Sequence, residues 1–133
     1  MNRTLHALAL LLFIGCGGGS EAIKRGVGSE CGANLACTES GQTCLTQFAG
    51  GYCGVARCVH DTDCPGGSAC VTEDDGVNYC FLVCADKVDC NPKRSAANES
   101  SCVSSLTFID GTMGRKVCRP PLSGTGPVDA AVD

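Results

Sequence analysis

The stretch that decides the fold is CVHDTDCPGGSACVTEDDGVNYC, residues 58–80. Its four cysteines are separated by gaps of five, five and nine residues. The last gap has strand-like residues on both sides of the dipeptide Asp75-Gly76, which is a strong turn signal. This pattern predicts a β-hairpin between the third and fourth cysteines. The first gap suits a turn or one short helical coil.

The same arrangement of cysteines occurs on both sides of this stretch. Residues 31–53 have gaps of five, six and eight, and residues 84–118 have gaps of five, eleven and fifteen. An aliphatic residue follows the third cysteine of each group, and Tyr or Val precedes the fourth. These positions are Leu45, Val71 and Val103, then Tyr52, Tyr79 and Val117. We therefore predict three tandem repeats joined by the short connectors 54–57 and 81–83.

The third repeat has the longest gaps. We expect a long hairpin there, with arms 103–109 and 112–117 around Asp110-Gly111. The segment 91–101 reads as an insertion into this repeat. Because loops on a rigid scaffold often carry binding, the insertion and the hairpin together are the best candidate contact region.

Composition places the chain among disulfide scaffolds. Its 133 residues include 13 Cys, no Trp, four Phe and two Tyr, too few large apolar side chains for a conventional core. Disulfides persist in oxidising compartments, so the protein should be exported. We predict a small disulfide-rich fold of short β-hairpins, with little helix and disordered termini. The predicted disulfide cysteines are Cys31, Cys37, Cys44, Cys53, Cys58, Cys64, Cys70, Cys80, Cys84, Cys90, Cys102 and Cys118.

The pairing within each group stays open, because four cysteines allow three connectivities. We prefer first-to-third with second-to-fourth, since this pairing locks the turn of the five-residue gap against the hairpin.

The start of the chain reads as an export signal, residues 1–15. Arg3 precedes an apolar run, 5–14, that is too short to span a bilayer. The end of the run, LFIGC at 12–16, resembles a bacterial lipobox, with Phe13 where that family usually has Leu. The resemblance implies cleavage before Cys16, fatty acylation such as palmitate on this residue, and a lipid-anchored lipoprotein. Gly17 resembles the outer-membrane case, which implies the outer membrane or the cell surface.

The odd cysteine count agrees with this interpretation, because lipid on Cys16 leaves an even number for disulfides. Ordinary cleavage, with Cys16 unpaired or bonded to another chain, remains the alternative. We expect a flexible Gly/Ser tether over residues 16–30 and a disordered tail over 119–133.

Residues 58–70 resemble the Dickkopf N-terminal cysteine-rich pattern. They are also similar to the whey-acidic-protein core, although that family has a Cys-Cys doublet where this chain has only Cys70. The first resemblance covers mainly residues 58–90 and implies a small extracellular four-cysteine module.

Little in the sequence indicates chemistry. His60 lies beside acidic residues, but no nucleophile motif accompanies it, so we predict no enzyme. Zinc and thiol-redox sites generally use a C-x2-C spacing that is missing here. Five acidic residues could contribute oxygen ligands to Ca²⁺, but their spacing does not match that of an EF-hand loop. We therefore predict no metal or other cofactor. The five acidic residues are Asp61, Asp63, Glu73, Asp74 and Asp75.

The net charge of −4 argues against nucleic acid as a partner. The sequence favours a membrane-anchored, non-enzymatic lipoprotein of the cell envelope that binds a protein or glycan or has a structural role. The alternative is a small protease inhibitor that uses a rigid loop, residues 63–69, as a substrate mimic.

Overall fold

A computed structural model describes residues 26–32, 35–111 and 114–124. These residues form a small, strand-rich and almost helix-free fold with six disulfides, as predicted. The strands are β1 (Thr43–Cys44), β2 (Cys53–Gly54), β3 (Ser68–Thr72), β4 (Asn78–Cys84), β5 (Ser101–Val103), β6 (Thr107–Phe108) and β7 (Lys116–Arg119). Three short 3₁₀ helices are η1 (Asp61–Asp63), η2 (Lys87–Cys90) and η3 (Ala96–Asn98).

Every disulfide joins cysteines of the same group of four, first to third and second to fourth. The pairs are Cys31–Cys44, Cys37–Cys53, Cys58–Cys70, Cys64–Cys80, Cys84–Cys102 and Cys90–Cys118. The third and fourth cysteines of a group face each other across an antiparallel ladder without being bonded together. These facing residues are Cys44 and Cys53, Cys70 and Cys80, and Cys102 and Cys118. The preferred pairing is thus the one present.

The hairpin predicted in the middle group is confirmed. Strands β3 and β4 pair antiparallel from Ser68 opposite Leu82 to Thr72 opposite Asn78. The turn closes with the N–H of Gly76 donating to the carbonyl of Glu73 at 2.9 Å, and Gly76 has φ +78°. Glycine adopts this left-handed conformation without steric cost, which explains the Asp-Gly signal.

Strand β4 continues past the middle group into the third one. The predicted connector 81–83 lies inside this strand, where Phe81 and Leu82 are buried. The five-stranded sheet has the order β5-β7-β4-β3-β6. One sheet therefore contains strands from both groups.

The long hairpin expected in the third group is wrong. Its two predicted arms do not pair with each other along their length: β6 pairs with β3 of the middle group, Phe108 opposite Val71. Only the base of the expected hairpin forms a ladder, with Val103 opposite Val117 in β5 and β7. The physical reason is burial, because Leu106 leaves this ladder and packs into the core.

The sheet is strongly curled. Four Cα steps separate the end of β5 from the start of β6, a reach of at most about 14 Å. A flat five-stranded sheet would separate its edge strands by about 19 Å, at roughly 4.8 Å per strand. Since these short steps connect the two edges, the sheet must bend toward closure, as its natural twist allows.

A cluster of aromatic rings lies at the centre of the core. The ring of Phe48 contacts those of Tyr52, Tyr79 and Phe81 edge to face, with centroids 6.0, 5.3 and 5.7 Å away. The repeated positions noted in the sequence contribute here, since five of the six are buried and Val103 packs against the cluster half-buried. The core therefore joins residues from all three cysteine groups.

Both ends of the described chain pack on this body. Val27 is buried, and backbone hydrogen bonds at 2.9 Å link Gly28 and Ser29 to Cys53. At the other end, Ala49 donates to the carbonyl of Pro121 at 2.8 Å. Residues 26–30 and 119–124 thus belong to the fold rather than to the tether and tail. The predicted signal peptide 1–15, and the remaining tether and tail residues 16–25 and 125–133, lie outside the described residues.

Candidate binding surface

Helix η1 and the loop after β6 meet in a polar network. The Nδ1 atom of His60 lies 3.0 Å from Oδ1 of Asp110. The other oxygen of Asp110 accepts the backbone N–H of Asp61 at 2.6 Å. One carboxylate of the third cysteine group therefore fixes two residues of the middle group.

Asp61 extends this network inward. Its Oδ1 accepts the backbone N–H of Cys70 at 2.8 Å, and its Oδ2 contacts Nη1 of Arg115 at 2.6 Å. The guanidinium of Arg115 lies 5.4 Å from the centre of the Phe108 ring. Both Asp61 and Arg115 are about three-quarters buried, so this pair is more protected from solvent than an ordinary surface ion pair.

A carboxylate just before the second cysteine shapes the turn. Oδ2 of Asp63 accepts the backbone N–H groups of Val59 and His60 at 2.8 and 2.9 Å. These two hydrogen bonds lower the pKa of Asp63. The carboxylate thus occupies the amide groups at the start of η1 that have no helical partner.

The third group repeats this turn. Oδ2 of Asp89 accepts the N–H groups of Ala85 and Asp86 at 2.9 and 3.0 Å, and they lower its pKa as well. This role of the aspartates was not predicted from the sequence, although an Asp directly before the second cysteine recurs at 63–64 and 89–90. The first group has Ala36 at the matching position.

The network presents an exposed surface rather than a pocket. The side chain of His60 is 62% exposed, and its chain neighbour Val59 and the chain neighbour of Asp110, Ile109, are exposed apolar residues. Hydrogen bonding to Asp110 raises the pKa of His60. Among the described residues, no hydroxyl or thiol is hydrogen-bonded to this imidazole. The arrangement can orient a histidine for contact, with an adjacent apolar rim.

The other predicted acidic residues lie at the hairpin tip. Glu73 is buried and paired with Arg119, which also contacts Asp74, and Asp75 accepts the hydroxyl proton of Tyr79 at 2.7 Å. Within the described residues, only three cysteine triples bring potential metal-ligand atoms within 4.8 Å of one another, and all of those sulfurs are in disulfides. The five acidic residues named for calcium therefore do not share one coordination sphere.

The insertion 91–101 contains an internal clamp at Arg94, although most of its other residues are exposed. The Arg94 guanidinium donates to the carbonyls of Gly28, Ala49 and Gly51 at 3.1, 2.8 and 3.0 Å. It also donates to the carbonyl of Asn98 at 2.7 Å. This cation therefore holds the first group against the third, while the contact role expected of the insertion stays a prediction.

The segment named for protease inhibition does not protrude as an extended loop. Ser68 donates its N–H to the carbonyl of Pro65 at 3.0 Å, which closes a tight turn. Ser68 and Ala69 are buried in β3. A substrate mimic needs an accessible extended backbone, and only Asp63, Gly66 and Gly67 of this segment are exposed.

No known family model, curated protein or solved structure matches this chain. Among its described residues, no helix combines the length and apolar character required to cross a bilayer. Cys16 and its predicted lipidation lie outside the described residues.

Proposed function

We propose that the chain is an exported bacterial lipoprotein, anchored through Cys16 in the outer membrane or at the cell surface. The observation that carries this proposal is the cysteine count. The chain has 13 cysteines, and twelve of them pair with one another. Cys16 therefore has no cysteine partner left in its own chain, as acylation requires. Fully disulfide-bonded domains of this size are typical of exported proteins.

The body of this lipoprotein consists of three duplicated four-cysteine modules. Three repeated features support that origin: the same disulfide pattern, the same facing of third and fourth cysteines, and the same ordering of core positions. The carboxylate-capped turn adds a fourth feature in two of the groups. Strand β4 contributes to two of these modules, since it pairs with β3 and with β7.

The activity that we propose is binding, without catalysis, to a protein or glycan of the envelope. The surface around His60 and Ile109 supports this role, because it combines exposed apolar residues with oriented polar groups. The Asp61–Arg115 ion pair and the contacts of Asp110 order this surface before binding, which lowers the entropy lost on binding.

The test is intact-mass spectrometry of the protein purified from membranes of its own host, with and without thiol alkylation. We expect a mass that starts at Cys16, carries diacylglyceryl and N-acyl groups, and gains no alkyl label. The Cys16→Ser variant is the matched control and should lack lipid while keeping all six disulfides. A lipid-free native protein, or one with many alkylated thiols, would contradict the proposal.

A further inference from the structure

The disulfide between the second and fourth cysteines differs in accessibility between the second and third groups. Cys64 is partly exposed, whereas Cys90, which has the same place in the third group, is 2% exposed. Their partners Cys80 and Cys118 are both fully buried. Solvent therefore reaches one end of the first bridge and neither end of the second.

The surroundings of these two bridges share two other features. Each second cysteine follows an aspartate, Asp63 or Asp89, that accepts two backbone N–H groups of its turn. Each fourth cysteine is held in an antiparallel ladder, opposite Cys70 or Cys102. The third group thus provides an internal control in which the local structure is kept and the exposure is removed.

An attacking thiol can approach Cys64 from solvent. Gly66 and Gly67 follow it closely, are exposed and carry no side chain, and Cys64 and Pro65 line a hollow on the surface. The exposed carboxylate of Asp63 is next in the chain, and its backbone hydrogen bonds lower its pKa, so it is charged near neutral pH. A small cationic thiol is therefore favoured over an anionic one at this sulfur.

We propose that the Cys64–Cys80 disulfide exchanges with a small cationic thiol while the protein stays folded. The thiolate of the small molecule attacks Sγ of Cys64, the Cys64–Cys80 bond breaks, and Cys80 leaves as a thiolate that takes a proton from water. The products are a mixed disulfide at Cys64 and a free thiol at Cys80. Because exchange moves a disulfide bond from one pair of sulfurs to another, it needs no outside oxidant.

The sulfurs of the second group converge, which determines where the free thiol is found. The Sγ atoms of Cys58, Cys64 and Cys80 lie within 4.8 Å of one another. A thiolate freed at Cys80 therefore lies beside the Cys58–Cys70 bridge, and its attack on Cys58 would displace Cys70 as the thiolate. The small molecule stays on Cys64 in either case, so the adduct at Cys64 is the measure of exchange.

Exchange at this bridge leaves the surrounding fold connected. Cys80 stays in the β3–β4 ladder, and the ion pair of Asp61 with Arg115 still holds η1. The covalent link between η1 and β4 is lost, because Cys64 directly follows η1. Exchange therefore loosens one side of the surface around His60. This regulation rests on the proposed binding function, whereas the exchange itself does not.

The test is exchange with cysteamine under native conditions. It uses the full mature chain with Cys16→Ser, whose remaining twelve cysteines are all in disulfides. Alkylation at successive times traps free thiols, and mass spectrometry locates adducts and labels. We expect exchange at Cys64 to be at least about a hundredfold faster than at Cys90–Cys118, because opening a buried core costs far more than local access. Urea below the unfolding transition should accelerate only the slower exchange.

Equal rates at the two bridges would overturn the proposal. So would a rate at Cys64 that rises with urea in parallel with the rate at Cys90–Cys118, because exchange would then require global unfolding. Hydrogen exchange of the adduct tests the regulation: amides 61–64 should exchange faster, while amides 101–103 in β5 stay unchanged. Unchanged amides 61–64 would refute the regulation. Failure of the proposed binding function would instead appear as the lack of a partner, with the same exchange rates.

Discussion

At the scale of single residues, Gly51 has the least room in the first cysteine group. A Cβ at this position would clash first with the backbone carbonyl oxygen of Cys31 and would also lie 2.6 Å from Sγ of Cys31 and 2.9 Å from Sγ of Cys44. Its φ of +69° is also a conformation that other residues adopt only at a cost. Backbone conformation and packing against a disulfide therefore both require glycine.

We predict that Gly51→Ala lowers the free energy of unfolding by about 2–4 kcal/mol, from left-handed strain and overpacking together. Gly41→Ala is the matched control, because Gly41 has φ +80° but no atom within 4 Å of a built Cβ. This variant should lose only about 1 kcal/mol. Denaturant unfolding with intact disulfides measures both. Equal losses would show that the close packing around Gly51, against the Cys31 carbonyl and the two sulfurs, does not matter.

A second residue-scale prediction concerns pH. Because hydrogen bonding to Asp110 raises the pKa of His60, the charged pair is fully formed below about pH 6.5. Its stabilisation is lost as pH rises through the folded pKa of His60. On the acid side, Asp110 keeps its charge to below its ordinary range, since its own pKa is lowered by His60 and by the N–H of Asp61.

We therefore expect the difference in Tm between the parent and Asp110→Asn to be largest near pH 5 and to shrink toward pH 8. The NMR titration of the His60 ring provides the direct measurement. Its midpoint should lie above 6.5 in the parent and fall toward 6.5 in the variant. Identical midpoints would mean that the two side chains do not interact in solution.

At the scale of elements, the clamp formed by Arg94 controls how the first group attaches to the third. Burial lowers the pKa of Arg94, yet the guanidinium stays charged far above neutral pH. Its planar fork reaches four carbonyls at once, and it also lies 5.8 Å from the centre of the Tyr52 ring. A lysine has one charged atom and cannot match this geometry.

Arg94→Lys should therefore destabilise the protein by about 2–3 kcal/mol, because partly buried carbonyls lose charge-assisted hydrogen bonds. Hydrogen exchange locates the effect: amides 28–31 and 51–53 should exchange faster, while amides 68–72 in β3 change little. Lys87→Arg provides a control, since Lys87 forms only an exposed ion pair with Glu99. Uniform acceleration over the whole chain would contradict a local clamp.

The elements that could be predicted from sequence are those with local signals. The β3–β4 hairpin has its Asp-Gly turn, and the disulfide pattern follows repeated spacing. The pairing of β6 with β3 could not be predicted, because it joins residues far apart in sequence through burial of Leu106. The role of Arg94 was hidden for a similar reason, since its carbonyl partners are up to 66 residues away. At the candidate surface, the sequence drew attention to His60 and Asp61 only as candidates for chemistry, and neither their surface role nor Asp110 as their partner was predicted.

At the scale of the whole molecule, side-chain contacts connect every pair of cysteine groups. The Phe48 cluster joins the first and second groups, while the pairs Asp61–Arg115 and Glu73–Arg119 join the second and third. Arg94 links the first and third. The six disulfides thus stabilise one folded body with a common core, rather than three independently folded domains.

Strand β4 belongs to both the second and the third cysteine groups, since it pairs with β3 and with β7. This sharing limits how the number of repeats in such a protein can change. In an array of independently folding repeats, recombination can delete or add a repeat at any linker. Here the boundary between the second and third cysteine groups runs through the middle strand of a sheet, so deletion of one group would also remove strands that pair with the other.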